Sequence, residues 1–227
     1  MAAAPLNEIG PNGPGTASAA LGFTLDLASQ WAGPAGLVWA GEEAAFAEEG
    51  APHPPGLAQY GLDPRRLIVI RARKRDDALW AAEQGLAAPG VVVVCALGAH
   101  GKPLDLKASR RLLLFAERNR SRCLLLKPAD GVTAAWTRWR VSPASSCAPA
   151  HEISTPAFSV ELTRNRAGPV GATFTLDWNA DARVFTERGL ATGLGTAGRQ
   201  FGFIAQEVES VFPQWVSETK DGYKFIT

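Results

Sequence analysis

Between Gly10 and Lys127 short apolar or β-branched runs alternate with longer segments of helical period, and this alternation restricts the fold more than any other feature of the chain. Runs of four or five consecutive apolar residues are what strands buried on both faces look like, and such strands belong to parallel sheets covered by helices. Four stand out: GLVWA at Gly36–Ala40, RLIVI at Arg66–Ile70, VVVV at Val91–Val94 and RCLLL at Arg122–Leu126. The short apolar piece Leu6–Ile9 is a candidate for one more strand ahead of them. Helices are expected at Ala17–Trp31, Glu42–Glu49, Arg75–Ala87 and Leu106–Glu117. In the third of these, Leu79, Trp80 and Leu86 form an apolar stripe with charges opposite, the pattern of an amphipathic surface helix.

After Pro128 the pattern changes to period two, in WTRWRVS, FSVELTR and TFTLDW, joined by Gly/Pro-rich turns. Such runs read as antiparallel strands, placed on the edge of the parallel sheet or in a small β extension. The nearly uncharged stretch GLATGLGTAG, Gly189–Gly198, has the composition of a flexible linker. Beyond it, Ile204, Val208, Val211 and Phe212 lie at helical spacing before Pro213, and Asp221-Gly222 marks a turn. One short helix and one strand do not make a self-sufficient core, so this tail is expected to dock on something.

NEIGPNGPGTASAALGF, Asn7–Phe23, has the outline of a phosphate-binding loop entering a helix. In the pattern G-x-x-x-x-G-K-[ST], amides cradle phosphates, the Lys reaches the terminal phosphates and the hydroxyl holds magnesium. Gly10 and Gly15 keep the spacing, with Gly13 between them, but Thr16 stands where the Lys belongs and Ala17 where the hydroxyl belongs. The acid that should close a buried strand to hold the metal is replaced by Cys95 and Ala96 after Val91–Val94. Each charge-assisted hydrogen bond from the missing Lys would be worth roughly 1.5–3 kcal/mol. The loop reads as a degenerate site at Gly10, Gly13, Gly15 and Thr16 that keeps only amides and a helix dipole for weak anion binding. Glu42 and Glu43 follow a strand where a water-activating acid would stand, which leaves a divergent ATP-binding enzyme as the rival reading.

At 227 residues the chain has room for one large domain, or one domain and a small appendage. Hydrophobic residues at 46% and charged ones at 20% fit a globular protein, and a net charge of +1 gives no global field toward nucleic acid or membrane. Cys95, Cys123 and Cys147 are an odd, scattered set without C-x-x-C spacing, which argues against a disulfide framework or structural zinc. His53, His100 and His151 lie far apart without ligand spacing to carboxylate or Cys, so neither metal nor other cofactor is expected. The N-terminus lacks the pattern of a signal peptide and no apolar run approaches the ~18 residues of a membrane span, so the expected location is cytoplasmic.

The stretches PLNEIGPNGPGTASAALGF, GLDPRRLIVIRARKRDDALWAAEQGL, LDLKASRRLLLFAE, TAAWTRWRVSPA and FSVELTRNRAGPVG, in that order, resemble the inducible mutagenesis protein A family of bacteria, over about Pro5 to Glu187. The resemblance implies a RecA-like core of the P-loop NTPase type, truncated because the sequence starts almost at the loop. It implies a damage-induced accessory factor, not an enzyme, serving translesion synthesis in the SOS response. The implied partners are a Y-family-polymerase-like mutagenesis protein and an error-prone replicative-type DNA polymerase, with single-stranded DNA as a further candidate. The tail FGFIAQEVESVFPQWVSETKDGYK is similar to part of the C-terminal intramolecular chaperone domain of phage tail spikes and fibres. The upstream Ser and Lys that self-cleavage would require have no counterpart ahead of Phe201. A phage tail-fibre-type structural protein is the third reading. The expected division is a RecA-like domain at 1–188, a Gly-rich linker at 189–199 and a chaperone-like fragment at 200–227.

Contacts with a partner or with DNA phosphate are assigned to three basic groups. Arg71, Arg73, Lys74 and Arg75 follow a buried strand at the end where open α/β sheets place their ligands. Arg110 and Arg111 lie on the outer face of the Leu106–Glu117 helix, while Leu112, Leu113 and Phe115 lean toward the sheet. In TRWRVS a strand sends Arg138 and Arg140 to one side and Trp139 and Val141 to the other, with Trp139 read as core.

Overall fold

The computed structural model describes residues 4–100, 103–127, 131–146 and 155–188, together with the backbone of two short strands in the tail. The body begins with β1 (Leu6–Pro11), α1 (Ala17–Trp31), β2 (Leu37–Glu42), α2 (Glu43–Glu49), α3 (Pro54–Gln59) and a 3₁₀ turn at Pro64–Arg66. It continues with β3 (Leu67–Ala72), α4 (Arg75–Leu86), β4 (Val92–Ala96), α5 (Leu106–Asn119) and β5 (Arg122–Leu126). The last strands of the body are β6 (Thr137–Pro143), β7 (Ala157–Asn165), β8 (Ala172–Asn179) and β9 (Val184–Glu187). All nine strands join one sheet in the order β3-β2-β4-β5-β1-β6-β7-β8-β9.

From β3 to β6 every pairing is parallel, and from β6 to β9 every pairing is antiparallel. The α/β reading with a mostly parallel sheet and an antiparallel extension is borne out. One detail differs: WTRWRVS, expected to open the antiparallel part, pairs parallel with β1, Asn7 opposite Thr137 through Pro11 opposite Val141. Its alternation records which faces are covered rather than the direction of its neighbours. Trp139 and Val141 are buried under α1 while Arg138 and Arg140 are half-buried on the other face.

Two cores sit on the two faces of the sheet. Ile9, Trp39, Val94, Leu124 and Leu126 pack against Phe23, Leu27 and Trp31 of α1, and this layer extends over Trp139, Phe158, Phe174 and Phe185 of the antiparallel part. Leu6, Val38, Ala40, Val93, Cys95 and Leu125 pack against Leu79, Ala82 and Leu86 of α4 and Leu112, Leu113 and Ala116 of α5. Successive strand residues therefore feed opposite cores, which is why these strands read as unbroken apolar runs. α5 is set by local chemistry: Asp105 caps its N-terminus by accepting from Ala108 N at 2.6 Å, and Arg120 ends it in the left-handed region at φ 52°.

The face of α4 differs from expectation. Trp80 is 61% exposed, whereas Glu83 is buried at 3% and receives a bond from Arg111. The buried face is Ala78, Leu79, Ala81, Ala82, Glu83 and Leu86, and its small residues let the helix lie close to the sheet. A Cβ on Gly85 would stand 3.1 Å from Val93 and 3.3 Å from Val38, so an indole on that face has no room. Also unforeseen are α3 and β9. α3 starts on Pro54 and Pro55, residues that read as breakers yet suit a first helical turn.

In the tail, β10 (Val216–Glu218) and β11 (Lys224–Ile226) pair antiparallel, Val216 opposite Ile226 and Glu218 opposite Lys224. Two strands stand where one was expected. The Asp221-Gly222 turn, the Ile204–Phe212 helical spacing and the Gly189–Gly198 linker lie outside the described residues.

Candidate functional site

Gly10 is the penultimate residue of β1, and a Cβ there would collide with the Arg140 guanidinium and stand 2.8 Å from the Lys127 carbonyl oxygen. The loop that follows is exposed and is fastened to β6 by Asn12 N donating to Val141 O at 2.8 Å. Gly13 and Gly15 have φ of 120° and 74°, values that L side chains rarely adopt. The Thr16 hydroxyl donates to Gly13 O at 2.8 Å and is thereby engaged within the loop. It makes no capping bond to α1.

Beside the loop, between α1 and the α2–α3 segment, lies a cavity of about 290 Å³ over the carboxyl ends of β2, β4 and β5. Pro11, Ala17, Leu21, Trp39, Phe46, Leu57, Ala96 and Leu97 border it together with Lys127, so the wall next to the loop is mostly apolar. The acids nearest the strand ends have other partners. Glu42 projects on the same side of β2 as Val38 and Ala40, toward α4. There it accepts from Arg75 Nε at 3.1 Å and from Gly98 N at 3.1 Å. Glu43 accepts from Arg71 at 2.6 Å, a bond that lowers its carboxyl below the ordinary glutamate range. Cys95 is fully buried, and desolvation pushes its thiol up to about 12. It is inert as a nucleophile or ligand.

The structure brings Arg71 and Arg75 to the β2–β3 ends but commits both to carboxylates, Arg71 also lying over the Phe46 ring at 4.9 Å. Arg73, Lys74 and Arg110 are exposed, and Arg111 reaches across to Glu83. Arg138 and Arg140 lie on the α5 side of the sheet, far less open than a phosphate contact at the surface. Arg138 Nε sits 2.9 Å from Glu8 and its terminal nitrogen Nη2 donates to Gly131 O at 2.7 Å.

Glu8 was not singled out in the sequence. It is completely buried in β1 and gathers Arg138, Lys127 Nζ at 3.4 Å and the Thr133 hydroxyl, while Arg164 donates to Thr133 O at 2.9 Å. Burial lowers the Lys127 ammonium, with the Glu8 charge opposing that effect. The group ties β1, β5, β6 and β7 to the 131–136 connection, and its signal in the sequence is a lone acid inside the strand PLNEIG. Among the described residues no three His, Cys, Asp or Glu side chains converge as metal ligands, and no helix is long and apolar enough to cross a membrane. His151 and Cys147 lie outside the described residues.

Comparison with known proteins adds three findings. Residues 174–217 match the family described as chaperone of endosialidase, a span that begins inside β8 and runs through β9 into the tail. Two curated relatives, Protein ImuA of Caulobacter vibrioides strains NA1000 / CB15N and ATCC 19089 / CB 15, are each 34% identical over 52% of this chain and 52% of their own. The chain thus spans about half the length of the curated relatives it matches. Among solved structures, the RadB recombinase aligns with a TM-score of 0.53 at 14% identity, covering 79% of this chain and 90% of that one. At that identity the likeness shows the fold alone. Both resemblances read from the sequence are borne out: the body is similar to ImuA proteins on a RecA-like fold, and the C-terminal part is similar to the endosialidase chaperone.

Proposed function

We propose that this chain is a non-catalytic accessory factor of damage-induced translesion DNA synthesis, acting in the cytoplasm by holding protein partners rather than by turning over nucleotide. The partners are a Y-family-polymerase-like mutagenesis protein and an error-prone replicative-type DNA polymerase, with single-stranded DNA as a weaker contact through the exposed cations Arg73, Lys74 and Arg110. The body is residues 1–188, with a degenerate P-loop; 189–199 is a linker and 200–227 a chaperone-related fragment. The ImuA relatives support the biological setting.

The observation that carries the non-catalytic part is the mostly apolar wall beside the loop. In the sequence Ala17 holds the position of the P-loop hydroxyl and Cys95 and Ala96 that of the metal-holding acid, and Glu42, the base of the rival reading, is bound by Arg75 and Gly98. Titration with a fluorescent ATP analogue and magnesium is expected to give no saturable binding in the micromolar range and no phosphate release. Micromolar affinity with release abolished by Glu42→Gln would overturn the reading. The biological half is checked by mutation frequency after DNA damage, which deletion of the gene should lower to the undamaged background.

A further inference from the structure

The cavity beside the loop is lined by the buried Trp39, Phe46, Leu57 and Ala96 and by the exposed Glu48 and Glu49. Binding clefts are lined mostly by apolar side chains with a few polar groups, and an apolar guest gains by leaving water for such a lining. At about 290 Å³ the space suits one aromatic or two aliphatic side chains.

Two acids, Glu48 and Glu49, line the cavity, along with the exposed His53. Glu48 and Glu49 are both exposed at the carboxyl end of α2, where the helix dipole adds further negative potential. Glu48 points both carboxylate oxygens at Ala99 N, at 2.9 and 3.3 Å, while partial burial and the charge of Glu48 raise the Glu49 carboxyl. Lys127 also borders the cavity, but its ammonium lies 3.4 Å from Glu8. Phosphates and acidic segments meet repulsion at these two acids, whereas a cation beside an apolar anchor meets attraction.

We propose that this cavity is the docking site for a segment of a protein partner in which a large apolar side chain, Phe or Leu, is flanked by Lys or Arg. The anchor fills the space between Trp39, Phe46 and Leu57, and the flanking cation lies against Glu48 and Glu49. The proposal rests on the reading of the chain as a partner-binding factor and names the chemistry of what it holds.

The test uses three short labelled peptides: one with a Phe between lysines, a twin with glutamates for the lysines, and a twin with Ala for the Phe. The full chain is expected to bind the first at least about tenfold more tightly than either twin. Ala17→Phe, which fills the cavity from α1, should abolish binding of the first peptide. Glu49→Gln, an exposed change that leaves folding intact, should weaken it about threefold. Equal affinity for the lysine and glutamate peptides, or binding untouched by Glu49→Gln in a chain of unchanged thermal stability, overturns the docking site. Damage-induced mutation frequency separates this outcome from failure of the functional reading. If deletion lowers that frequency but the peptides do not discriminate, the docking site falls and the accessory role stands. If the peptides discriminate and deletion changes nothing, the role in mutagenesis falls and the docking site stands.

Discussion

At the scale of single residues, the most consequential buried charge outside the Glu8 group is Asp26 of α1. Its side chain is fully buried, accepts from Phe185 N at 2.9 Å and from Gln30 Nε2 at 2.8 Å, and so fastens α1 to β9. Desolvation outweighs those two bonds and lifts its carboxyl to about 7. The Tyr60 hydroxyl, pushed up to about 12 by burial and by the Asp26 charge, records the same crowding. Because the folded value lies above the unfolded one, the contribution of this group to stability is complete below about pH 4 and is lost as pH rises through about 7. Asp26→Asn keeps an acceptor for Phe185 N and removes the buried charge. It is expected to stabilise the protein at pH 8 by on the order of 2–4 kcal/mol and to leave it little changed at pH 4. Thermal unfolding midpoints of both proteins at the two pH values check this, and a variant less stable than the parent at pH 8 contradicts it.

At the scale of elements, α4 shows how far an apolar stripe can mislead. Leu79 and Trp80 are adjacent in sequence and both apolar, but Leu79 is 7% exposed in the α4–α5 core and Trp80 is 61% exposed. Leu79→Ala should therefore cost about 2–4 kcal/mol through lost burial and a residual cavity, and Trp80→Ala within about 0.5 kcal/mol of nothing. Denaturant titration of the two variants decides between this face and the one read from the sequence, on which both losses would be large. The strands were far easier to read than the face of this helix. A run such as VVVV is buried whichever way it faces, whereas a helix of mixed small residues and charges is oriented by what it lies on. Here alanines and Gly85 set a close approach, and Arg111 from α5 makes the inward turn of Glu83 affordable.

At the scale of the whole molecule, the covering of α1 by the antiparallel strands defines the folding unit. Phe174, Leu176 and Phe185 of β8 and β9 belong to the same core as Phe23, Trp39 and Trp139, although the match to the endosialidase chaperone begins at residue 174. A chain ending after Arg188 should keep a single cooperative unfolding transition and near-parental stability. One ending after Gly171 should strip Phe158 and Val160 of their cover and lose cooperativity or precipitate, since several buried aromatic contacts each worth on the order of 1 kcal/mol or more vanish together. Calorimetry of the two truncations checks this, and equal cooperativity would mean that β8 and β9 are not integral to the body.

The sequence by itself determined the main strands and helices between Leu6 and Leu126 and the change of pattern after Pro128, because burial on one or two faces is written locally. It also carried the resemblance to ImuA and to the endosialidase chaperone. Only the tertiary structure decided the strand order, the fate of the basic clusters and the cavity beside the loop. Arg75, Arg111 and Arg138, which look like surface cations in the sequence, are consumed by Glu42, Glu83 and Glu8. Thr133 meets Glu8 across 125 residues and Phe185 meets Asp26 across 159. A charge seeks a counter-charge through space, and once buried it must find one or shift its pKa. Neither outcome is encoded within the few residues that a sequence pattern spans.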